Sequence, residues 1–329
     1  MQGSPLSRLA SRLGGFRRSL MVGVVTGAVY GLVARMALEF EFAAFFAVIT
    51  VTFLGLVPFA IGYLAVYPAE SPRIWYRVFV PWLPILLVVA AASAVGWEGA
   101  ICIIMSTPLL LVIASLGGVA AALHRRRRGY HAMAVAVLPF IVAPLESTIP
   151  RPERIESNVT EIVMEAPVDV VWSHVIEVPE ITPAEQRPAL FTRVGFPRPV
   201  SAELSREGVG GVRHARFEGN VVFTEVITDW EQHRLIGFTI DANTDEIPAT
   251  TLDPHVTIGG EYFDVLTGEY RLVPLGETRT RVILTSRHRV STTLNPYTAW
   301  WARVIMRSIQ DNILEVLRDR AERDAVAVG

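Results

Sequence analysis

Val159-Thr-Glu-Ile-Val-Met-Glu165, followed at once by Ala166-Pro167-Val-Asp-Val-Val-Trp172, is the stretch that decides how the second half of this chain folds. The first run alternates and is rich in β-branched residues, which predicts a strand. Pro167 cannot donate to a ladder, but its preset φ suits the first turn of a helix. Val168, Val171, Trp172 and Val175 then fall on one helical face. A strand, an abrupt stop and a short amphipathic helix open a water-soluble domain.

Further strand-like runs follow: Val200–Arg206, Val212–Phe223, Thr224–Trp230, Leu235–Asp241, Tyr262–Leu266, Glu269–Pro274 and Thr278–Val290. Gly208, Gly210, Gly211, Gly219, Gly268 and Gly276 mark turns between them. The chain closes on a long helix that Asn295 can cap and Pro296 can open, running to about Arg323. Its apolar stripe is Tyr297, Trp301, Val304, Ile305, Ile309, Ile313, Val316 and Leu317. Tight turns make the sheet antiparallel, and the stripe must be buried against it. The expected fold is α+β, an antiparallel sheet wrapped around a C-terminal helix over residues 159–323, with a short tail after it.

The opening Glu161-to-Trp172 motif, the element order and the amphipathic last helix resemble the helix-grip superfamily called SRPBCC. That superfamily includes START lipid-transfer domains and polyketide cyclase/dehydrase-like proteins. The resemblance covers about Val159 to Arg323. It implies a cavity for a hydrophobic or amphipathic molecule, sometimes with catalysis.

Upstream of Pro150-Arg151-Pro152, a stiff linker, the chain follows a different solvent rule. A bilayer core of about 30 Å needs about 20 mostly apolar helical residues. Leu20–Leu38, Phe42–Val66, Val78–Val95 and Ala100–Leu123 meet this, and Tyr130–Ile149, with Pro139 and Pro144, is a weaker fifth. The expectation is an α-helical membrane domain of four or five spans over residues 1–150. Such a domain is not part of the usual helix-grip pattern and argues against a freely diffusing transfer role. Arg8, Arg12, Arg17 and Arg18, then Arg73 and Arg77, then Arg125–Arg128 occupy alternate loops, while Glu39, Glu41 and Glu98 occupy the others. The positive-inside rule makes the N-terminus cytoplasmic in a bacterial inner membrane. Four spans keep the soluble domain in the cytoplasm; five place it outside. Leu6, Leu9, Leu13, Phe16 and Leu20 form the apolar side of a basic amphipathic helix at the inner leaflet. Arg35 can snorkel from the end of the first span.

All 30 cations are Arg: 13 Arg and 6 acids lie in residues 1–154, against 17 Arg and 26 acids in residues 155–329. An acidic soluble half is a poor surface for nucleic acid, which needs a basic face. The only cysteine, Cys102, precludes an internal disulfide.

Candidate ligand-binding residues are His288, His255, Trp172, Trp230, Phe238, Tyr262 and Trp301. His288 shares the more apolar face of its strand with Thr280, Val282, Leu284, Ser286 and Val290, whereas Arg279, Arg281, Arg287 and Arg289 alternate opposite. A His on that face either meets a ligand as a hydrogen-bonding or basic group, or is a hydrogen-bonded core residue. His255 and Tyr262 stand in a polar, Gly-bearing connection suited to a pocket mouth or a plain surface loop. The aromatic residues are core bulk, some of which must line any cavity. His214, flanked by Arg213 and Arg216, reads as solvated. His255, Glu261 and Asp264 lack a metal-ligand spacing, Gly208-Val-Gly-Gly211 lacks the helix of a phosphate loop, and no cofactor motif stands out. The expected function is a membrane-tethered binder of a lipid-like molecule. A cyclase/dehydratase-type enzyme and a non-catalytic partner of another membrane protein are the alternatives.

Overall fold

The computed structural model describes residues 5–39, 50–70, 73–124, 130–186, 190–193, 196–242 and 258–328. The chain divides into two compact units, one of residues 1–98 and 102–151 and the other of 99–101 and 152–329.

Backbone amides in an apolar stretch must be satisfied within the segment, and the first unit is accordingly helical. It comprises α1 (Pro5–Glu39), a π-turn (Thr52–Leu56) continuing into α2 (Val57–Val66), α3 (Ile74–Phe79), α4 (Trp82–Val95), α5 (Ala100–His124) and α6 (Tyr130–Glu146). Three stretches, Gly14–Ala37, Ile74–Val95 and Ala100–His124, are long and apolar enough to cross a membrane; Thr52–Val66 and Tyr130–Glu146 are shorter apolar helices. Residues 42–49 of the expected second span lie outside the described residues.

Glycines let these helices touch backbone to backbone, the packing device apolar bundles rely on. A Cβ on Gly23 would lie 2.0 Å from the Ala65 carbonyl oxygen, and one on Gly62 would lie 1.9 Å from that of Ala114. Gly23 meets Ala65 and Gly27 meets Ile61, so α1 and α2 run antiparallel; Gly27 meets Pro84 and Gly31 meets Val88, so α1 and α4 run parallel. The Glu146 carboxylate at the end of α6 accepts hydrogen bonds from the Val51 and Thr52 amides at 2.7 and 2.8 Å. It supplies the negative charge that a helix start favours. Phe16 packs on Trp75 and Tyr76 at the other end. Arg17, Arg18, Arg73 and Arg77 therefore gather at one end of the bundle, and Glu98 and Glu146 at the other. Arg35 reaches from near the end of α1 to the loop after α4. It is buried, with Nε 2.9 Å from Glu98 Oε1, Nη2 3.0 Å from the Trp97 carbonyl and the guanidinium 5.1 Å from the Trp97 ring centre. A desolvated guanidinium requires such a set of partners.

The second unit begins with β1 (Glu153–Met164), then α7 (Val168–Ile176) and α8 (Leu190–Arg193). β2 (Pro199–Leu204), β3 (Val212–Phe217), β4 (Val221–Glu231), β5 (Leu235–Ala242), β6 (Phe263–Pro274) and β7 (Thr280–Ser291) follow, and α9 (Asn295–Val328) closes it. The seven strands form one antiparallel sheet in the order β1-β7-β6-β5-β4-β3-β2.

Three local expectations need correction. Val212–Phe223 is not one strand: it breaks at Glu218–Asn220, where Gly219 and Asn220 adopt φ of 74° and 62°, values open to Gly and tolerated by Asn. Gly268 is not a turn. It lies inside β6, which runs through the two expected short strands with a bulge between Val265 and Thr267. A Cβ at Gly268 would lie 2.4 Å from the Phe238 ring, so the glycine makes room for an aromatic residue. Asn295 does not cap forward into α9; its Oδ1 accepts from the Thr292 amide and hydroxyl, and its Nδ2 donates to the Pro152 carbonyl at 2.5 Å.

The register gathers the connections at two ends. Glu153 pairs with Ser291, Phe263 with Val290, and Phe217 with Val221. The linker, the β3–β4 turn, the β5–β6 connection and the start of α9 thus share one end, called here the linker end. At the far end Glu165 N donates to Glu322 and His174 pairs with Asp324. There Arg320 of α9 also holds the Pro179 and Glu180 carbonyls and Glu185.

Candidate functional site

Alternation along β1 and β7 turns Glu156, Asn158, Thr160 and Met164 inward beside Thr280, Val282, Leu284, Ser286, His288 and Val290. Several of these are polar, and α9 meets them with Gln310: Thr160 Oγ1 donates to its Oε1 at 2.8 Å, and its Nε2 donates to Ser286 Oγ at 2.9 Å. Asn158 Nδ2 donates to the Arg303 carbonyl at 2.8 Å. This polar seam leads along the sheet to His288.

His288 is fully buried, and neither ring nitrogen has a hydrogen-bond partner among the described residues. Its ring lies 5.5 Å from that of Phe263. Glu156, directly opposite on β1, is held by Arg154 and by Arg303, whose Nη1 is 3.4 Å away. Burial pushes the His288 pKa below its ordinary value; Glu156 draws it up and Arg303 down. A neutral imidazole presents one donor and one acceptor to whatever meets it. Trp301, on α9, likewise has a buried Nε1 with no partner among the described residues. Phe263, Val290, Ala299 and Ala302 form an apolar cluster beside His288.

A second polar centre, which the sequence reading missed, lies deeper. Arg213 and Glu225 both face the interior; Nε and Oε2 are 2.5 Å apart, and Arg213 Nη1 donates to the Val175 carbonyl at 2.8 Å. The guanidinium sits 4.6 Å from the Phe238 ring centre and 5.7 Å from that of Tyr270. Burial works against the Arg213 charge, but Glu225 and Tyr270 more than offset it. Burial pushes Glu225 upward while Arg213 draws it back, and burial lifts Tyr270 to about 12. A hairpin turn at Gly219 places Arg213 opposite Glu225; that register was the available signal. His214, next along β3, is exposed.

The remaining candidates are spread along the interior. Phe238 is buried between Gly268 and Arg213. Trp172 on α7 packs edge-on against Trp230 at 5.1 Å in the main core. Tyr262 is half-buried at the linker end, its carbonyl accepting from the Ser291 amide. His255 lies outside the described residues. Among those described, no group of three or more His, Cys, Asp or Glu is placed to hold a metal ion.

No family model matches the chain, and neither does any curated protein. Solved structures do resemble it. The Zhui aromatase/cyclase from a Streptomyces species is 19% identical over 54% of this chain and 99% of its own, with a TM-score of 0.34. A protein from Nitrosospira multiformis is 19% identical over 53% and 99%, with a TM-score of 0.31. DynU16, a protein of the dynemicin biosynthetic locus, is 15% identical over 51% and 48%, with a TM-score of 0.31. The second unit has a helix-grip fold. That rests on its own strand order and terminal helix, because likenesses this remote say nothing of activity.

Proposed function

We propose that this is a membrane-tethered protein that binds a hydrophobic or amphipathic, lipid-like molecule between the sheet and α9 of its helix-grip unit. The observation that carries this reading is a set of buried polar atoms with no partner among the described residues. They are His288 Nδ1 and Nε2, Trp301 Nε1, Asn158 Oδ1 and Asn312 Oδ1, on β1, β7 and α9. Buried polar groups are nearly always satisfied, and a bare one costs about 1–3 kcal/mol. An amphipathic ligand with a hydrogen-bonding group near His288, and an apolar body against side chains such as Phe263 and Phe238, lowers that cost at His288. In this reading Tyr262, half-buried at the linker end, stands nearer the entry, and the packed pair Trp172 and Trp230 stands in the main core.

A cyclase/dehydratase-type reaction is the second reading, favoured by the Arg213, Glu225 and Tyr270 cluster. Glu225 is engaged by Arg213, and Tyr270 holds its proton to about 12. Neither is a free base near neutral pH, so binding stands ahead of catalysis.

The tether supports five crossings. Helices α1 and α2 alternate in direction, and Glu146, ending α6, meets the start of the π-turn leading into α2. On this reading the chain leaves the apolar helices at the end opposite Arg17, Arg18, Arg73 and Arg77, and the positive-inside rule then favours an extracytoplasmic helix-grip unit. Tethering raises the effective concentration of a membrane-derived ligand.

The test is the lipid extract of purified full-length protein, read by mass spectrometry. His288→Leu should lose a copurifying molecule that the protein with His214→Leu, changed at an exposed position, retains. Equal retention in both would remove His288 from the site.

A further inference from the structure

We infer that the exposed face of the first turns of α9, carrying Trp300, Arg303 and Arg307, is a docking surface for the anionic headgroup layer of a bilayer. The inference rests on the membrane-tether reading above and adds which face of the helix-grip unit meets lipid.

Chain geometry provides the first argument. Asn295, which opens α9, donates to the carbonyl of Pro152 at 2.5 Å. Pro152 follows Glu146, the last residue of α6, by six residues. Six residues span at most about 20 Å. At most about 20 Å of chain thus separates the last residue of α6 from the residue that the start of α9 holds.

Side-chain chemistry provides the second. Trp300 is half-exposed, and its ring is braced by Trp301 at 4.8 Å. A rigid indole with one wet edge is the side chain enriched at the headgroup level of membranes. Arg303 and Arg307 lie about one and two turns further on the same face, with side chains 46% and 70% exposed; Arg154, at the start of β1, is 49% exposed. Their acidic neighbours are Glu156, only 10% exposed and shared by Arg154 and Arg303, and Asp311, 51% exposed and 3.9 Å from Arg307, so three exposed arginines face one exposed carboxylate. The solvent side of this face is therefore cationic, as attraction to anionic lipid requires. An aromatic residue flanked by arginines, on an otherwise acidic unit, matches a lipid headgroup layer better than a second copy of the same cationic face.

The position also matters for function. The linker end holds the β5–β6 connection with Tyr262, and His288 is opposite the first strand near its start. Docking there lets an apolar molecule pass between bilayer and interior without crossing water.

The test uses the full chain in vesicles. Cys102 is the only cysteine, so Cys102→Ser allows single spin labels at Trp300→Cys, Val209→Cys and Val112→Cys. Val209 lies on an exposed turn at the far end of the sheet, and Val112 on the exposed side of α5. Label accessibility to oxygen, which partitions into lipid, is compared with that to a water-soluble nickel complex. The expected result is a shift toward oxygen at position 300 in phosphatidylcholine vesicles containing phosphatidylglycerol. The shift should be lost when Arg303→Glu and Arg307→Glu are added, and absent at position 209. A label at 300 as open to nickel as the one at 209, with 112 reading acyl chain, overturns the docking surface and leaves the tether standing. Water accessibility at 112 overturns the tether and the docking together. Dipolar coupling between two labels at 300, without an oxygen shift, assigns the face to a second copy and also overturns the proposal.

Discussion

Glu156 and His288 face each other across the β1–β7 ladder, both turned inward, and only Glu156 has hydrogen-bond partners among the described residues: Arg154 and Arg303. A buried carboxylate engaged by arginines thus stands beside a buried imidazole left bare.

That asymmetry gives a pH dependence. Burial lowers the folded-state pKa of His288 below 6.5, with Glu156 opposing and Arg303 assisting. The unfolded chain then binds the proton more readily, so the His288 contribution is present above 6.5 and lost as pH falls toward the folded value. Thermal melts of the full-length protein should show lower stability at about pH 5 than at neutral pH, and His288→Leu should flatten that difference. An unchanged acid-side loss in the variant contradicts the assignment.

The interior ion pair makes a stability prediction. Arg213→Met strands the Glu225 carboxylate in the core, which costs about 3–5 kcal/mol when one partner of a buried pair is removed. Arg213→Met with Glu225→Leu should recover most of that loss, because apolar groups replace both charges. Denaturant titration measures both, and a single variant as stable as the parent contradicts the burial of the pair.

These two centres show what the sequence could and could not say. The run from Val159 to Trp172 predicts β1 and α7, the inward face of β7 follows from alternation, and α9 follows from its apolar stripe. Arg213 was hidden because it sits in Arg213-His214-Ala215-Arg216, where alternation alone does not say which cations point in. Only the register set at Gly219 decides it. Gly268 was misread for a related reason: the room it makes is for Phe238, on a neighbouring strand. Arg35, near the end of the first span, and Glu98, in a later loop, lie 63 residues apart, and only packing shows that they meet at 2.9 Å.

In the apolar unit, close helix approach depends on residues without a Cβ. Gly62→Val places a methyl-bearing carbon where the Ala114 carbonyl lies 1.9 Å away. It should lower thermal stability in detergent by several degrees, in line with an overpacking cost of about 1–3 kcal/mol. Gly14→Ala, inside α1 with nothing within 4 Å, should be neutral to slightly stabilising, because Ala favours a helix over Gly by about 0.5–1 kcal/mol. Equal tolerance of both substitutions contradicts the packing.

Sidedness is open to a direct assay. Five crossings make an alkaline phosphatase fused after the C-terminus active, and a cytoplasmic reporter at the same point silent. The reverse pattern would show that Tyr130–Glu146 does not cross.

The central claim is that the helix-grip interior holds a lipid-like molecule. It is tested most directly by a photoactivatable fatty-acyl phospholipid added to the full-length protein in vesicles, irradiated, and mapped by peptide mass spectrometry. The account predicts adducts on interior positions such as Phe263, Phe238 and Trp301, reduced in His288→Leu. Adducts confined to the apolar helices of residues 14–146, with none on the sheet or α9, would contradict it.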